Sequence, residues 1–220
     1  MIAISRRLVP ALLGAALASA MLCGAVPWAP PAAADGKDDG KALVQKMADQ
    51  VVAILADKSI DRTAKEVRFR QILGRNFDVP TIGQWVLGAP WRDATAAQKA
   101  EYLGLFEIYI VKVYTGQLST YSGEKVRVIG AEDDGGGVAV VSKITDPKND
   151  RTVEVTWRLR PTGKQLKVRD VVIENISMSQ TQRREFAAVF QRRGGTVDGL
   201  IAALREKIAE LDGKSPPPSR

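Results

Sequence analysis

Few side chains in this sequence could do covalent or metal chemistry. The 220 residues contain no histidine and a single cysteine, Cys23, near the N-terminus. Without these side chains in its main body, the chain cannot form a Ser-His-Asp triad, a disulfide framework or a Cys/His zinc site. Acid-base catalysis would have to use carboxylates such as Asp170 and Glu174, whose spacing does not mark them as a pair. An enzyme remains one alternative for the function of this chain, but no residues in the sequence are marked as its active site.

The N-terminal segment has the pattern of an export signal. Two arginines precede an apolar run over residues 8–22, and three alanines ending at Ala34 form a small-residue cleavage pattern. An uncleaved anchor is the alternative, but prolines interrupt the run, which is short for a span of about 20 residues. Leu22 directly before Cys23 argues against lipidation. We therefore expect residues 1–34 to be a cleaved signal peptide.

Charge limits the classes of partner. The formal net charge is +7, and loss of the two signal arginines would lower it to about +5. A basic exported protein suits anionic lipid headgroups or a membrane surface, whereas nucleic acid is not expected as a partner. A basic excess that serves only solubility is the alternative.

Apolar spacing predicts helices on both sides of a group of strands. Residues 35–40 are predicted to be a flexible lead-in, 41–212 one folded domain and 213–220 a solvated tail. Within the domain, helices are expected over residues 41–57, 61 to about 73 (ended by Gly74), 81–87, 95–118, from Ser179 or Thr181 to Gly194, and 197–211. Thr95 and Gln98 are predicted to form a capping box, and Thr196 is predicted to cap the last helix.

The helix predicted over residues 95–118 is apolar on more than one side. At about 100° per residue, one continuous arc carries Tyr102, Leu103, Phe106, Tyr109, Ile110, Val113 and Tyr114. Leu105, Ile108 and Val111 point elsewhere. Such a helix must be covered on more than one side, either by protein or by a molecule that the protein carries.

The middle of the chain alternates apolar and polar residues with the period of strands. Turn residues separate four such segments, which predicts an antiparallel meander. Its clearest strand places Val155, Trp157 and Leu159 on one face and polar residues on the other. We therefore expect an α+β fold, a twisted four-stranded antiparallel sheet whose apolar face is covered by helices. A basic outer face is predicted from Arg158, Arg160, Lys167 and Arg169.

Two separated segments resemble the MlaC/Ttg2D family, also called the toluene-tolerance family. The first contains Trp85-Val86-Leu87-Gly88, Trp91-Arg92, Ala94-Thr95 and Gln98, followed by Phe106, Tyr109 and Tyr114. The second contains Ile176-Ser177-Met178, Thr181, Arg183, Glu185-Phe186, Gly194-Gly195 and Leu200. With the elements between them, the resemblance covers residues 41 to 211.

This resemblance implies a non-enzymatic lipid carrier of the periplasm that needs no cofactor. Such proteins have a helical part and a part like nuclear transport factor 2, and they hold phospholipid acyl chains in a deep cavity. They move lipid between an outer-membrane lipoprotein complex and an inner-membrane ABC transporter with an MCE-type subunit. One branch is associated with hopanoids, so a polycyclic lipid is an alternative cargo. A purely structural envelope protein, filled by its own side chains, is a further alternative.

The candidate lipid-binding residues combine the resemblance with the predicted apolar faces. Arg92 is the candidate for a phosphate at the mouth, although a surface arginine that pairs with Asp93 is the alternative. The tyrosine hydroxyls could face lipid or backbone carbonyls, and the tryptophans could line a pocket or fill a core. The full set is Trp85, Leu87, Trp91, Arg92, Phe106, Tyr109, Ile110, Tyr114, Val155, Trp157 and Leu159.

Overall fold

Helices cover one antiparallel sheet in the residues that the computed structural model describes, 36–117, 121, 123–148 and 151–213. The helices are α1 (Gly36–Ala56), α2 (Arg62–Asn76), α3 (Val79–Leu87), α4 (Pro90–Asp93), α5 (Ala96–Gln117), α6 (Met178–Arg192) and α7 (Val197–Leu211). The strands are β1 (Lys125–Asp133), β2 (Val138–Thr145), β3 (Thr152–Thr162), β4 (Gln165–Ile173) and β5 (Ile176–Ser177). The strands pair antiparallel in sequence order, and the predicted α+β class is confirmed. No helix in these ranges combines the length and apolar character needed to cross a membrane.

The sheet has a fifth, two-residue strand in addition to the four predicted. Glu174 and Asn175 join β4 to β5 and both have positive φ, 46° and 65°. Two consecutive left-handed residues form a tight hairpin turn whose twist matches that of the strands. Asparagine favours this conformation but glutamate rarely adopts it, so the Glu174-Asn175 pair is a weaker hairpin signal than Asn-Gly. The extra strand leads directly into α6.

The first helix starts earlier than the sequence predicts. Residues 36–40, expected in a flexible lead-in, form the first turn of α1. Gly40 lies so close to β2 that a Cβ atom there would be 3.1 Å from Val140 and 3.3 Å from Val138. Lys37 also pairs with Asp133 at 2.8 Å. These contacts with the sheet hold residues 36–40 in the helix, although their composition alone is typical of a linker.

Side-chain caps fix the start of α5. The Thr95 N–H donates to Gln98 Oε1 (2.9 Å), and the Gln98 N–H donates to Thr95 Oγ1 (3.2 Å). This reciprocal pair is the capping box that the sequence predicts.

Other helix ends also differ from the predictions, and α3 begins at Val79, two residues before its predicted start. The start of α6 is Met178, because Ser177 accepts the Gln180 N–H at 3.1 Å and so caps the helix before either predicted start. Gly74 does not end α2, which continues to Asn76. A single glycine is tolerated there because Ile72 and Leu73 anchor the last turn in the core.

The buried side chains form two clusters. One joins α5, α6 and α7 with α3 and is built around Tyr102, Phe106, Phe186 and Leu200. The other joins α1 and α2 to the sheet and is built around Val44, Val140, Leu159 and Val168. Phe77, between α2 and α3, packs against both clusters.

Protein covers one apolar side of α5, and the other apolar side borders a cavity. Val111 is buried in the cluster with α7. The adjacent face carries Ile110 and Tyr114, which are only partly buried and border an empty space. The second side of the helix therefore faces a cavity, and side chains do not fill it.

Candidate functional site

A cavity of about 460 Å³ lies between the helices and the sheet. Its walls come from α1, α2, α3, α5, α6 and the sheet, and most of the contributing side chains are aliphatic or aromatic. The lining residues are Met47, Ala48, Val51, Val52, Leu55, Phe69, Ile72, Leu73, Phe77, Val79, Ile82, Phe106, Ile110, Tyr114, Gln117, Tyr121, Glu124, Val126, Ile144, Val155, Trp157, Arg169, Asp170, Val171, Ile173, Met178, Ser179 and Gln182. The volume is within the range of ligand sites, roughly 300–1,000 Å³.

One face of α5 gives the cavity its length. Phe106, Ile110, Tyr114 and Gln117 line it at spacings of three or four residues, which places them in one row along the helix. At about 1.5 Å per residue, the row spans about 16 Å. Phe106 is buried at one end and Gln117 is exposed at the other. The cavity is therefore a slot that runs along α5, with a buried aromatic side chain at its Phe106 end and an exposed polar side chain at its Gln117 end.

A hydrogen-bond chain holds the sheet wall in place. The Trp157 indole N–H donates to Ser142 Oγ at 2.9 Å, and the Ser142 hydroxyl donates to the Val155 carbonyl at 3.3 Å. Ser142 is fully buried, so this pairing satisfies polar groups that would otherwise destabilise the fold. The indole ring is thereby fixed as part of the slot wall.

Tyr114 contributes a neutral hydroxyl to the slot. Burial, reinforced by Tyr109, Glu185 and Asp170, raises the pKa of Tyr114 above its ordinary value. The hydroxyl therefore stays protonated at neutral pH, and the apolar slot contains no phenolate charge at this position.

An irregularity in β4 brings a cation to the slot. Arg158 pairs with Asp170 and Leu159 with Val168, which leaves Arg169 as an extra residue without a cross-strand partner. Before this bulge Val168 faces the sheet cluster, and after it Val171 faces the slot. A bulge shifts which residues of a strand face inward. Arg169 is the extra residue at this shift, and it lines the slot.

A buried carboxylate orients this arginine. Asp78 caps α3, and its Oδ2 accepts a hydrogen bond from Arg169 Nε at 3.1 Å and lies 3.0 Å from Nη2 of the same guanidinium in an ion pair. Burial alone would raise the pKa of Asp78, but hydrogen bonds with Thr81 and Thr162 and the charge of Arg169 outweigh it, so the pKa lies below its ordinary value. Asp78 is therefore an anion at neutral pH.

The carboxylates that could have formed an acid-base pair have separate structural roles. Asp170 accepts the Ser177 hydroxyl at 2.6 Å and the Ser179 N–H at 3.0 Å, which ties the start of α6 to β4. Glu174 accepts the Glu154 N–H at 2.8 Å on the exposed surface. Within the described ranges, no three carboxylates are grouped in a way that could hold a metal ion.

Five of the eleven candidate residues line the slot. They are Phe106, Ile110, Tyr114, Val155 and Trp157. The periodicity of α5 and the alternation of β3 select these five positions, so the predicted apolar faces meet across the slot.

The other six candidates do not line the slot. Trp85 is 50% exposed, and the Arg183 guanidinium lies 4.2 Å from its ring centre. Leu87 is buried in the helical cluster, and Trp91 packs edge-to-face on Tyr102. These aromatic and apolar motif residues join α3 and α4 to the rest of the helical layer.

Arg92 is exposed on α4, away from the slot lining. Tyr109 packs against Phe186, with ring centres 5.6 Å apart. Leu159 is fully buried in the sheet cluster, because the slot extends only as far as Trp157 along β3.

Sequence reasoning misses the contributions of α1 and α2 to the slot. Met47, Ala48, Val51 and Leu55 follow helical spacing on α1, and Phe69 and Ile72 extend the wall on α2. The broad apolar face of α1 is a usable signal. Its periodicity fits an ordinary core equally well, because spacing alone does not separate a filled core from a lined cavity.

The predicted basic face is largely neutralised by acidic neighbours. Arg160 pairs with Asp134 at 2.9 Å, Arg169 pairs with Asp78, and Arg158 lies 3.9 Å from both Asp134 and Asp170. Lys167 donates to the Gly74 carbonyl at 3.3 Å. The three arginines of this face therefore lie next to carboxylates, with cations and anions interleaved.

A second depression of about 510 Å³ lies among α5, α6 and α7. Six charged side chains line it: Glu185, Arg192, Arg193, Glu206, Lys207 and Glu210. Half of its lining residues are charged, which is a poor match for an apolar guest, so the slot is the stronger candidate site.

Known proteins share both the sequence pattern and the fold of this chain. The model of the family described as "MlaC protein" matches residues 45–206. The toluene tolerance protein ttg2D of Pseudomonas putida is 28% identical over 142 residues, which are 64% of this chain and 66% of that protein.

A solved structure also matches. It is a phospholipid-binding protein from Ralstonia solanacearum in complex with a phospholipid, with a TM-score of 0.68 and 25% identity over 79% of this chain and 99% of that chain. A slot between helices and sheet and a family match over most of the described residues together identify this chain as a member of the MlaC family.

Proposed function

We propose that this protein is a periplasmic lipid carrier that encloses a phospholipid acyl chain in the slot. The observation that carries the proposal is the cavity of about 460 Å³ with its mainly apolar walls. The phospholipid bound by the Ralstonia solanacearum relative supports this cargo class. The family membership and the export pattern of residues 1–34 support the compartment.

The volume of the slot sets its capacity. A cavity of about 150 Å³ holds benzene, which corresponds to about 25 Å³ per carbon. At that scale, a space of about 460 Å³ accommodates about 18 carbons, close to one long acyl chain. A second chain of the same lipid would require the helices to separate from the sheet or would lie outside the slot.

The shape also favours a flexible chain. The row of lining side chains on α5 spans about 16 Å, a length that suits an extended acyl chain. A fused ring system cannot bend to follow the walls, so we favour phospholipid over a hopanoid or another polycyclic lipid.

The energetics of burial imply transfer by contact. At about 0.8 kcal/mol per methylene, enclosing about 18 carbons contributes a gross term on the order of 14 kcal/mol. A bilayer offers the lipid nearly the same term, so release into water is slow, whereas exchange with a membrane or another carrier is nearly balanced. We infer that hand-over requires direct contact with a membrane or with a partner protein.

Family membership supports the choice of partners. We propose that the carrier exchanges lipid with an outer-membrane lipoprotein complex and with an inner-membrane ABC transporter that has an MCE-type subunit. The proposal needs no catalysis and no cofactor, because loading and release break no covalent bond.

Lipid transfer between vesicles tests the proposed function. Lipid-free protein is incubated with donor vesicles that contain a labelled phospholipid, separated from them, and then mixed with acceptor vesicles. We expect stoichiometric loading and subsequent delivery of the label. Protein that takes up no label from any donor composition would contradict the proposal, and so would full uptake by a variant whose slot is blocked.

A further inference from the structure

We propose that Arg169 binds the phosphate of the lipid headgroup and thereby selects phospholipid over lipids without phosphate. The inference rests on the proposed carrier function and deepens it by assigning the recognition of the headgroup to one side chain. Three observations carry it: the β4 bulge, the orientation of the guanidinium by Asp78, and the place of Arg169 in the slot wall.

The bulge is the local feature that makes the site. In a regular β4 strand, Arg169 would alternate with Val168 and point away from the apolar interior. The structure inserts one extra residue at this position, and Arg169 then lines the slot together with Val171 and Ile173. Bulges commonly re-aim a side chain next to a functional site.

The guanidinium retains capacity for a ligand. Arg169 donates from Nε to one carboxylate oxygen of Asp78, and Nη2 lies close to the same oxygen. Its side chain is 38% exposed, whereas that of Asp78 is 9% exposed. An arginine has five N–H donors in a planar fork, so donors remain that can bind phosphate oxygens. Asp78 fixes the plane of the fork in advance, which lowers the entropy lost on binding.

The charges around this arginine limit how strongly it attracts an anion. Asp78 balances Arg169, and Asp170 lies beside it in the slot wall with Arg158 at 3.9 Å. The cluster contains two cations and two anions, so a free phosphate ion gains little from the net charge. A phosphate already held nearby by its acyl chain needs only the local hydrogen bonds, and we therefore assign the site to a lipid headgroup.

A matched pair of variants tests the proposal. Arg169→Gln removes the guanidinium from the slot wall. Arg160→Gln removes a similarly exposed arginine from an ion pair with Asp134 that does not line the slot. Each lipid-free protein is incubated with vesicles that contain either a phospholipid or a diacylglycerol with the same chains, and loading is measured by native mass spectrometry.

We expect Arg169→Gln to lower the loading of phospholipid relative to diacylglycerol by about tenfold or more, the ratio expected for a lost charge-assisted hydrogen bond. Arg160→Gln should keep the wild-type ratio, and Arg169→Lys should fall between the two because it keeps the charge without the planar fork. Equal loss of both lipids in Arg169→Gln would assign Arg169 a structural role and overturn the proposal. An unchanged ratio would also overturn it.

Two further results distinguish headgroup recognition from the carrier function and from a site for free anions. Wild-type protein that loads neither lipid would contradict the carrier function itself, as distinct from the role of Arg169. Inorganic phosphate added to lipid-free wild-type protein should not raise its melting temperature. A rise that Arg169→Gln abolishes would identify a site for a free anion and overturn the assignment to a lipid headgroup.

Discussion

Filling the slot should shorten the acyl chain that the protein can carry. Ala48 on α1 lines the slot and is almost fully buried, so Ala48→Phe would place a benzyl group in the space. That group occupies roughly the 150 Å³ of a benzene-sized cavity, which leaves about 310 Å³, or about 12 carbons.

The loss of capacity converts into a large change in loading. Excluding about six methylenes at about 0.8 kcal/mol each removes about 5 kcal/mol of burial. A competing bilayer still covers the whole chain, so the full difference acts on the exchange between membrane and protein. We expect loading of a long-chain lipid to fall at least about 100-fold, which corresponds to about 2.8 kcal/mol and allows for chain bending and wall relaxation.

Native mass spectrometry with monoacyl phospholipids of about 12 to 18 carbons provides the assay, with melting temperatures as the test of folding. Ala53→Phe is the matched control, because Ala53 lies on the same helix but is exposed and does not line the slot. Short chains should still load into Ala48→Phe, and all chains should load into Ala53→Phe. Wild-type loading of the longest chain by a folded Ala48→Phe variant would refute the assignment of the slot.

Three further predictions concern the groups that support the slot. Ser142→Ala should lower the free energy of unfolding by about 1–3 kcal/mol in urea denaturation, because the Trp157 N–H loses its acceptor. The same substitution should cost less in a Trp157→Phe background, and an equal cost in both backgrounds would argue against the hydrogen bond. The pKa of Asp78 is lowered in the folded state, so the stability that ionised Asp78 contributes should be complete above about pH 4 and lost as the pH falls through its folded-state pKa. The melting temperatures of wild type and Asp78→Asn should therefore converge on acidification, and a constant difference between them would contradict this role. Burial raises the pKa of Tyr102, Tyr109 and Tyr114. Tyrosinate absorbance should therefore increase at a higher pH in the folded protein than in the urea-unfolded chain, and coincident titration curves would show that these hydroxyls are not buried.

The fold is predictable where local patterns and tertiary packing agree. The structure contains three features that local sequence predicts: the capping box at Thr95, the alternation of β3 and the cap at Thr196. In each case the local residue types favour the same conformation as the packing around them. The start of α1 is not predictable, because the contact of Gly40 with β2 is made by residues far apart in sequence.

The site is predictable only in part for a related physical reason. Periodicity assigns Ile110 and Val155 to inward faces, but it does not show whether the space inside is filled. Motif resemblance selects Trp85 and Arg92, and the structure places them away from the slot. Regular alternation assigns Arg169 to the outer face. The apolar positions nevertheless change from even numbers (Leu166 and Val168) to odd numbers (Val171 and Ile173), and this shift, visible in the sequence, marks the bulge.

Mass spectrometry of the protein as extracted from cells tests the central claim most directly. Native spectra recorded under gentle activation should show the exported chain with a bound lipid, and stronger activation should release a phospholipid mass. A lipid-free monomer that also remains lipid-free after incubation with phospholipid vesicles would contradict the proposed carrier function.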